Sequence, residues 1–130
     1  HTSYINNWDL VDVSAPHIIG AYLSDKSRHP LYELAVSEIL WERRMAIIST
    51  FHFIRNNDFK DTIAIAGLLL DDGHDLIHKA TGWMLREVGK RDLHTEEMFL
   101  DTHAARMPRT MLRYAIEKLP EASRQKYLSK

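Results

Sequence analysis

The apolar positions of this chain recur at three- and four-residue intervals, and no run sustains the period-two alternation of a half-buried strand. With only five Gly and four Pro to interrupt it, that pattern predicts helices throughout. Asn6-Asn7 caps a first helix, with Asp9 in its first turn beside the exposed N–H groups. Ser14 and Pro16 start a second, short helix, apolar on one side over His17–Leu23. A polar loop over 24–29 leads to Pro30 and a helix over Leu31–Ser37. A long helix is expected from Leu40 to Arg55, on the stripe Leu40, Ile47, Ile48, Phe51 and Ile54. Asn56-Asn57-Asp58 forms a turn with a cap. The next helix, Phe59–Leu70, is apolar over much of its surface, which predicts thorough burial. After the break at Asp71-Asp72-Gly73-His74, Asp75–Lys90 is helical with Leu76, Ile77, Ala80, Met84 and Val88 inward. Leu93–Ala105, Arg109–Leu119 and Glu121–Leu128 complete the series, punctuated by Pro108 and Pro120.

These elements repeat. Ala46, Ala80 and Ala115 recur at 34–35 residues, and so do Phe51, Leu85 and Leu119; Asp58-Phe59 and Asp92-Leu93 open the intervening helices at the same step. The expected fold is therefore all-α, an α-solenoid of HEAT-like helix pairs, favoured over an irregular bundle whose spacings agree by chance. Residues 1–130 are read as one such domain, and a start at His1 without Met suggests the C-terminal part of a longer chain.

Composition narrows the classes. Hydrophobic residues make up 45% and charged residues 27% of the chain, enough for a core and unlike a disordered segment. Mean hydropathy is -0.33, and no apolar run approaches the roughly 20 residues of a membrane span. No signal-peptide pattern precedes the first helix, and the absence of Cys removes disulfides and thiolate metal sites. A cytoplasmic location is expected. Seventeen Lys+Arg against eighteen Asp+Glu give a net charge of -1, so any basic surface has to come from segregation onto one face.

Three sets of residues carry candidate chemistry. Trp8 and Asp12, at i and i+4, share a helix face. They form either a structural hydrogen-bonding pair or part of a site for a cationic substrate. Arg44 stands among Leu40, Ile47, Ile48 and Phe51, and the repeat maps it onto His78 and Arg113. That row is either a set of flank cations reaching for water or a line of groups facing a ligand. Lys79, Trp83, Arg86 and Lys90, followed by Arg91, share the third face, with Arg109 and Arg113 as a second basic patch. Cations around an exposed aromatic suit a phosphate backbone and a base or sugar ring; a plain solvated face with Trp83 at its edge is the bland alternative. His74 and His78 each follow a carboxylate by three residues, a spacing found in helical metal sites, and His74-Asp75 suits a metal-dependent phosphohydrolase. The remaining ligands do not form a set, and no metal is expected. Trp41 is read as packing between helices.

Four blocks taken together resemble the AlkD-like DNA alkylation repair family: Asn7-Trp8-Asp9-Leu10-Val11-Asp12, Trp41-Glu42-Arg43-Arg44, Gly82-Trp83-Met84-Leu85-Arg86-Glu87-Val88-Gly89-Lys90, and Met107-Pro108-Arg109-Thr110-Met111-Leu112-Arg113-Tyr114-Ala115. The resemblance implies a DNA glycosylase that hydrolyses the N-glycosidic bond of positively charged N7- or N3-alkylpurines without extruding the base into a pocket, unlike the usual base-flipping enzymes. It assigns Trp8 and Trp83 to the lesion's sugar, Asp12 to the charge-stabilising carboxylate and Arg44 to the backbone. Arg43, Lys79, Arg86, Lys90, Arg91, Arg109 and Arg113 are the expected DNA-binding set. The expected partner is alkylated double-stranded DNA, met by a monomer with no cofactor. The alternative is a non-catalytic helical scaffold that grips DNA or another partner on the same concave face.

Overall fold

The computed structural model describes residues 28–129. Among them the ordered elements are helical: α1 (His29–Ala35), α2 (Leu40–Ser49), α3 (Phe51–Arg55), α4 (Lys60–Leu68), α5 (Asp75–Arg91), α6 (Leu93–His103), α7 (Arg109–Ile116) and α8 (Glu121–Leu128). The two helices expected ahead of residue 28 lie outside the described residues.

The helix expected over 40–55 is interrupted at Thr50. Its backbone N–H bonds to the Ile47 carbonyl at 3.2 Å, and its hydroxyl donates to the same oxygen at 2.6 Å. This side-chain competition tightens the turn and separates α2 from α3. At the start of α6, Asp92 accepts from the Thr95 backbone N–H (3.4 Å) and hydroxyl (2.8 Å), satisfying donors that an uncapped helix would leave free.

Two apolar clusters are stacked along the chain, and α4 and α5 serve both. Ile65 and Leu69 of the α4 segment join Leu31, Ile48, Phe53, Ile77 and Met84 in the first. Ala66 and Leu70, one residue on, join Leu85, Leu100, Met111 and Leu112 in the second. Two adjacent i, i+4 rows on one helix thus face opposite cores, which is why this stretch is apolar over so much of its circumference. Burial is not complete, however. Leu68 is 50% exposed, because the third side of the helix meets neither core.

The long helix α5 packs against α2, α6 and α7. Gly82 sets the distance to α7: a Cβ there would lie 2.5 Å from both the Met111 carbonyl oxygen and the Tyr114 Cβ. A second tie joins α1 to α4. Arg28 pairs with Asp61 and with Asp58 (2.7 Å), and its guanidinium lies 3.9 Å from the centre of the Phe53 ring. The Tyr32 hydroxyl donates to Asp61 at 2.6 Å, and burial with that bond pushes the phenol up to about 12.

Candidate nucleic-acid interface

The inward positions of α5 are Ile77, Ala80, Met84, Leu85 and Val88, so its opposite stripe is left outward. That stripe carries Lys79, Trp83, Arg86 and Lys90. Trp83 is half-buried, supported by Phe51 with ring centroids 6.2 Å apart and planes tilted by 43°. It lines an open cleft of about 240 Å³ together with Arg44, Leu76, Lys79, Ala80, Arg86 and Tyr114. Three helices meet there: α2 contributes Arg44, α5 the centre, and α7 the Tyr114 wall.

Arg44 reaches this cleft across the α2–α5 packing, where its guanidinium donates to the Leu76 carbonyl at 3.0 Å. The apolar neighbours that made it odd in the sequence are the reason: Ile47 and Ile48 are fully buried, and the long side chain runs past them to polar space. Lys79 pairs with Asp75 at 3.1 Å, and that hydrogen bond holds the Asp75 carboxyl below the usual carboxylate range. Arg86 pairs with Glu117 across the α5–α7 seam. The cleft therefore has three cationic side chains around one half-exposed indole. Asp75 and Glu117 balance two of those charges, so a polyanion has to compete with them for Lys79 and Arg86, while an electron-poor ring or cation is attracted to the indole face.

The other basic residues singled out in the sequence are held elsewhere. Arg43 is tied to Asp72 (2.6 Å) and to the Ser37 carbonyl (3.0 Å), joining the start of α2 to the turn before α5. Lys90 pairs with Glu87 at 3.0 Å and lines the next stretch of the groove rather than the Trp83 cleft. Arg91 bonds Glu87 at 3.2 Å and lies 5.8 Å from the centre of the Phe51 ring. Arg109 donates to the Leu128 carbonyl at 2.9 Å, fastening α8 to α7. Arg113 is exposed on α7. Trp8 and Asp12 lie outside the described residues. Tyr114 and Glu117 were missed by sequence reasoning. The signal for Tyr114 was Gly82, since a glycine beside Trp83 marks where another backbone comes close.

The paired histidines have structural work. His74 caps α5, its Nδ1 accepting from the Leu76 backbone N–H at 3.2 Å, and His78 Nε2 bonds the Asp72 carbonyl. Asp75 is taken up by Lys79. Among the described residues no three His, Asp or Glu side chains gather as a metal-binding group. Nor is any helix among them long and apolar enough to cross a membrane.

A family model described as DNA alkylation repair enzyme matches residues 1–119. No curated protein and no solved structure matches the chain significantly.

Proposed function

The chain belongs to the DNA alkylation repair enzyme family, and from that premise we propose that it is a DNA glycosylase releasing N7- and N3-alkylated purines from duplex DNA. The observation that carries this reading is the cleft in which Trp83 sits among Arg44, Lys79 and Arg86. A cationic alkylpurine is already a good leaving group, so no acid is needed to protonate it. Breaking the N-glycosidic bond builds positive charge on the deoxyribose. In this reading Asp12 stabilises that charge and orients the attacking water. Trp8 and Trp83 attract the positively polarised sugar C–H groups through their ring faces, and Arg44 holds the adjacent phosphate. Lys79, Arg86, Lys90 and Arg113 continue the contact along the backbone. Arg43, Arg91 and Arg109 contribute by fixing the helices that present those groups.

The same reading makes the architecture a HEAT-like solenoid. In its favour, the helices related by the 34–35-residue period pack in series, α2 on α5 and α5 on α7, and the α4–α5 layer is shared by two successive cores. The protein then works as a cytoplasmic monomer without metal or organic cofactor.

The test is release of 7-methylguanine and 3-methyladenine from methylated duplex DNA by the intact chain, measured against spontaneous depurination. Release above the spontaneous rate is expected. Salt-sensitive duplex binding with no release would replace the enzyme with a DNA-gripping scaffold.

A further inference from the structure

The Trp83 cleft is only half of the surroundings of Arg86. The same side chain lines a second cleft of about 240 Å³ on the groove between α5 and α7, with Gly89 and Lys90 of α5, Glu96 of α6 and Lys118 after α7. Two carboxyls compete for its guanidinium. Glu117 of α7, its side chain 58% exposed, accepts from Nη1. Glu96 is only 2% exposed, and its Oε2 is buried with no hydrogen-bond partner among the described residues. The Arg86 Nε is also buried and unpartnered among them. Gly89 makes room for the Glu96 carboxyl, since any Cβ at that position would collide with it.

A donor and an acceptor on one cleft, both shut away from water and both unmatched, complement each other. The guanidinium is a rigid fork, so an arginine whose Nη1 is bound to one carboxylate keeps its Nε edge for a second. Lys90, the neighbouring cation of α5, is taken up by Glu87 and leaves Arg86 as the natural partner of Glu96.

We propose that Glu96 is a positioning residue for Arg86: held by Glu117 alone, the guanidinium stands beside Trp83, and an ionised Glu96 takes its Nε edge and draws it into the second cleft. Protonation chooses between the two arrangements. Burial pushes Glu96 up to about 8, Glu97 on its own helix adding to the rise and Arg86 opposing it. The other groups facing it are Lys90 from α5, Lys118 from the turn after α7 and Tyr127 from α8, a phenol pushed up to about 12. At neutral pH the carboxyl is uncharged and a weak competitor; in mild alkali it becomes a second anion for the same cation. What this does to duplex binding rests on the DNA reading above; the sharing of Arg86 does not.

The Arg86 Nε and Cζ resonances of the intact chain report the pairing directly. Between about pH 6.5 and 9.5 they should follow one titration curve with its midpoint at about 8. The curve should vanish in Glu96→Gln, which keeps the shape of the side chain and cannot ionise, and persist in Glu117→Gln. Arg86 resonances that stay still in the wild type, or move equally in Glu96→Gln, would overturn the pairing. With undamaged duplex, wild-type affinity should fall about tenfold across the same range relative to Glu96→Gln, the worth of one hydrogen bond between charged groups. Equal affinities in the two chains, with the Arg86 curve present, would overturn the effect on DNA and leave the pairing. A chain that releases no alkylpurine fails the glycosylase reading, and the resonances still decide for or against Glu96.

Discussion

Glu96 makes the folded chain sensitive to alkali. Its folded pKa is about 8 and its ordinary value 4.5. Below about pH 4.5 the group is protonated in both states, and its contribution to stability is complete. Between the two values the unfolded chain has lost a proton that the folded chain keeps, so stability falls as pH rises, by about 1 kcal/mol per pH unit, and levels off above about 8. Thermal unfolding at pH 5 and pH 8 should show a larger fall in Tm for the wild type than for Glu96→Gln, and equal falls would contradict the assignment. None of this was legible in the sequence. A carboxylate in the first turn of a helix reads as a partner for the helix dipole. Only the close approach of α5 at Gly89 takes it out of water. Arg44 is the opposite case, because a cation among buried isoleucines announces itself from spacing alone. What spacing left open was which neighbour it reaches, and the Leu76 carbonyl answers that.

At the scale of elements, the helices and most of their limits were readable because each carries its own apolar period and its own punctuation. Glu121–Leu128 falls where Pro120 predicts it, and α5 begins at Asp75 as read. The split at Thr50 was not readable, since it depends on one hydroxyl choosing a backbone carbonyl. The tie between α1 and α4 was not readable either, since it joins residues about thirty positions apart. Asp61 is 2% exposed and accepts from both Arg28 and Tyr32. Asp61→Ala removes both bonds, while Arg28 keeps Asp58. The expected cost is about 2–3 kcal/mol, the range for losing hydrogen bonds to a charged group. Chemical denaturation should show it as a lower midpoint with an unchanged slope. A midpoint within error of the wild type would mean that α1 is held by its apolar face alone.

At the scale of the whole molecule, the net charge is -1, and even in the groove carboxylates stand beside the cations: Asp75 by Lys79, Glu117 by Arg86 and Glu87 by Lys90. The two clefts along the α5–α7 groove gather Arg44, Lys79, Arg86, Lys90 and Lys118. The period in the sequence pointed to such a face, through the row from Arg44 and the stripe from Lys79 to Lys90. It did not reveal which cations are already committed. Arg43 and Arg109 look like DNA contacts by position but are engaged in holding helices together. If the groove is the nucleic-acid face, log affinity for duplex DNA should fall with log salt at a slope of roughly -3 to -5, about 0.9 for each phosphate neutralised. A slope near zero would take the groove out of the interaction.

In the proposed reaction a carboxylate at position 12 stabilises charge on the sugar while Trp83 and the cations around it hold the DNA. The most direct measurement is the single-turnover rate of 7-methylguanine release from a methylated duplex by the intact chain and by its Asp12→Asn variant. Loss of one such electrostatic partner is expected to slow release by about 100-fold or more. An Asp12→Asn chain that releases the base at the wild-type rate would mean that Asp12 takes no part in the reaction.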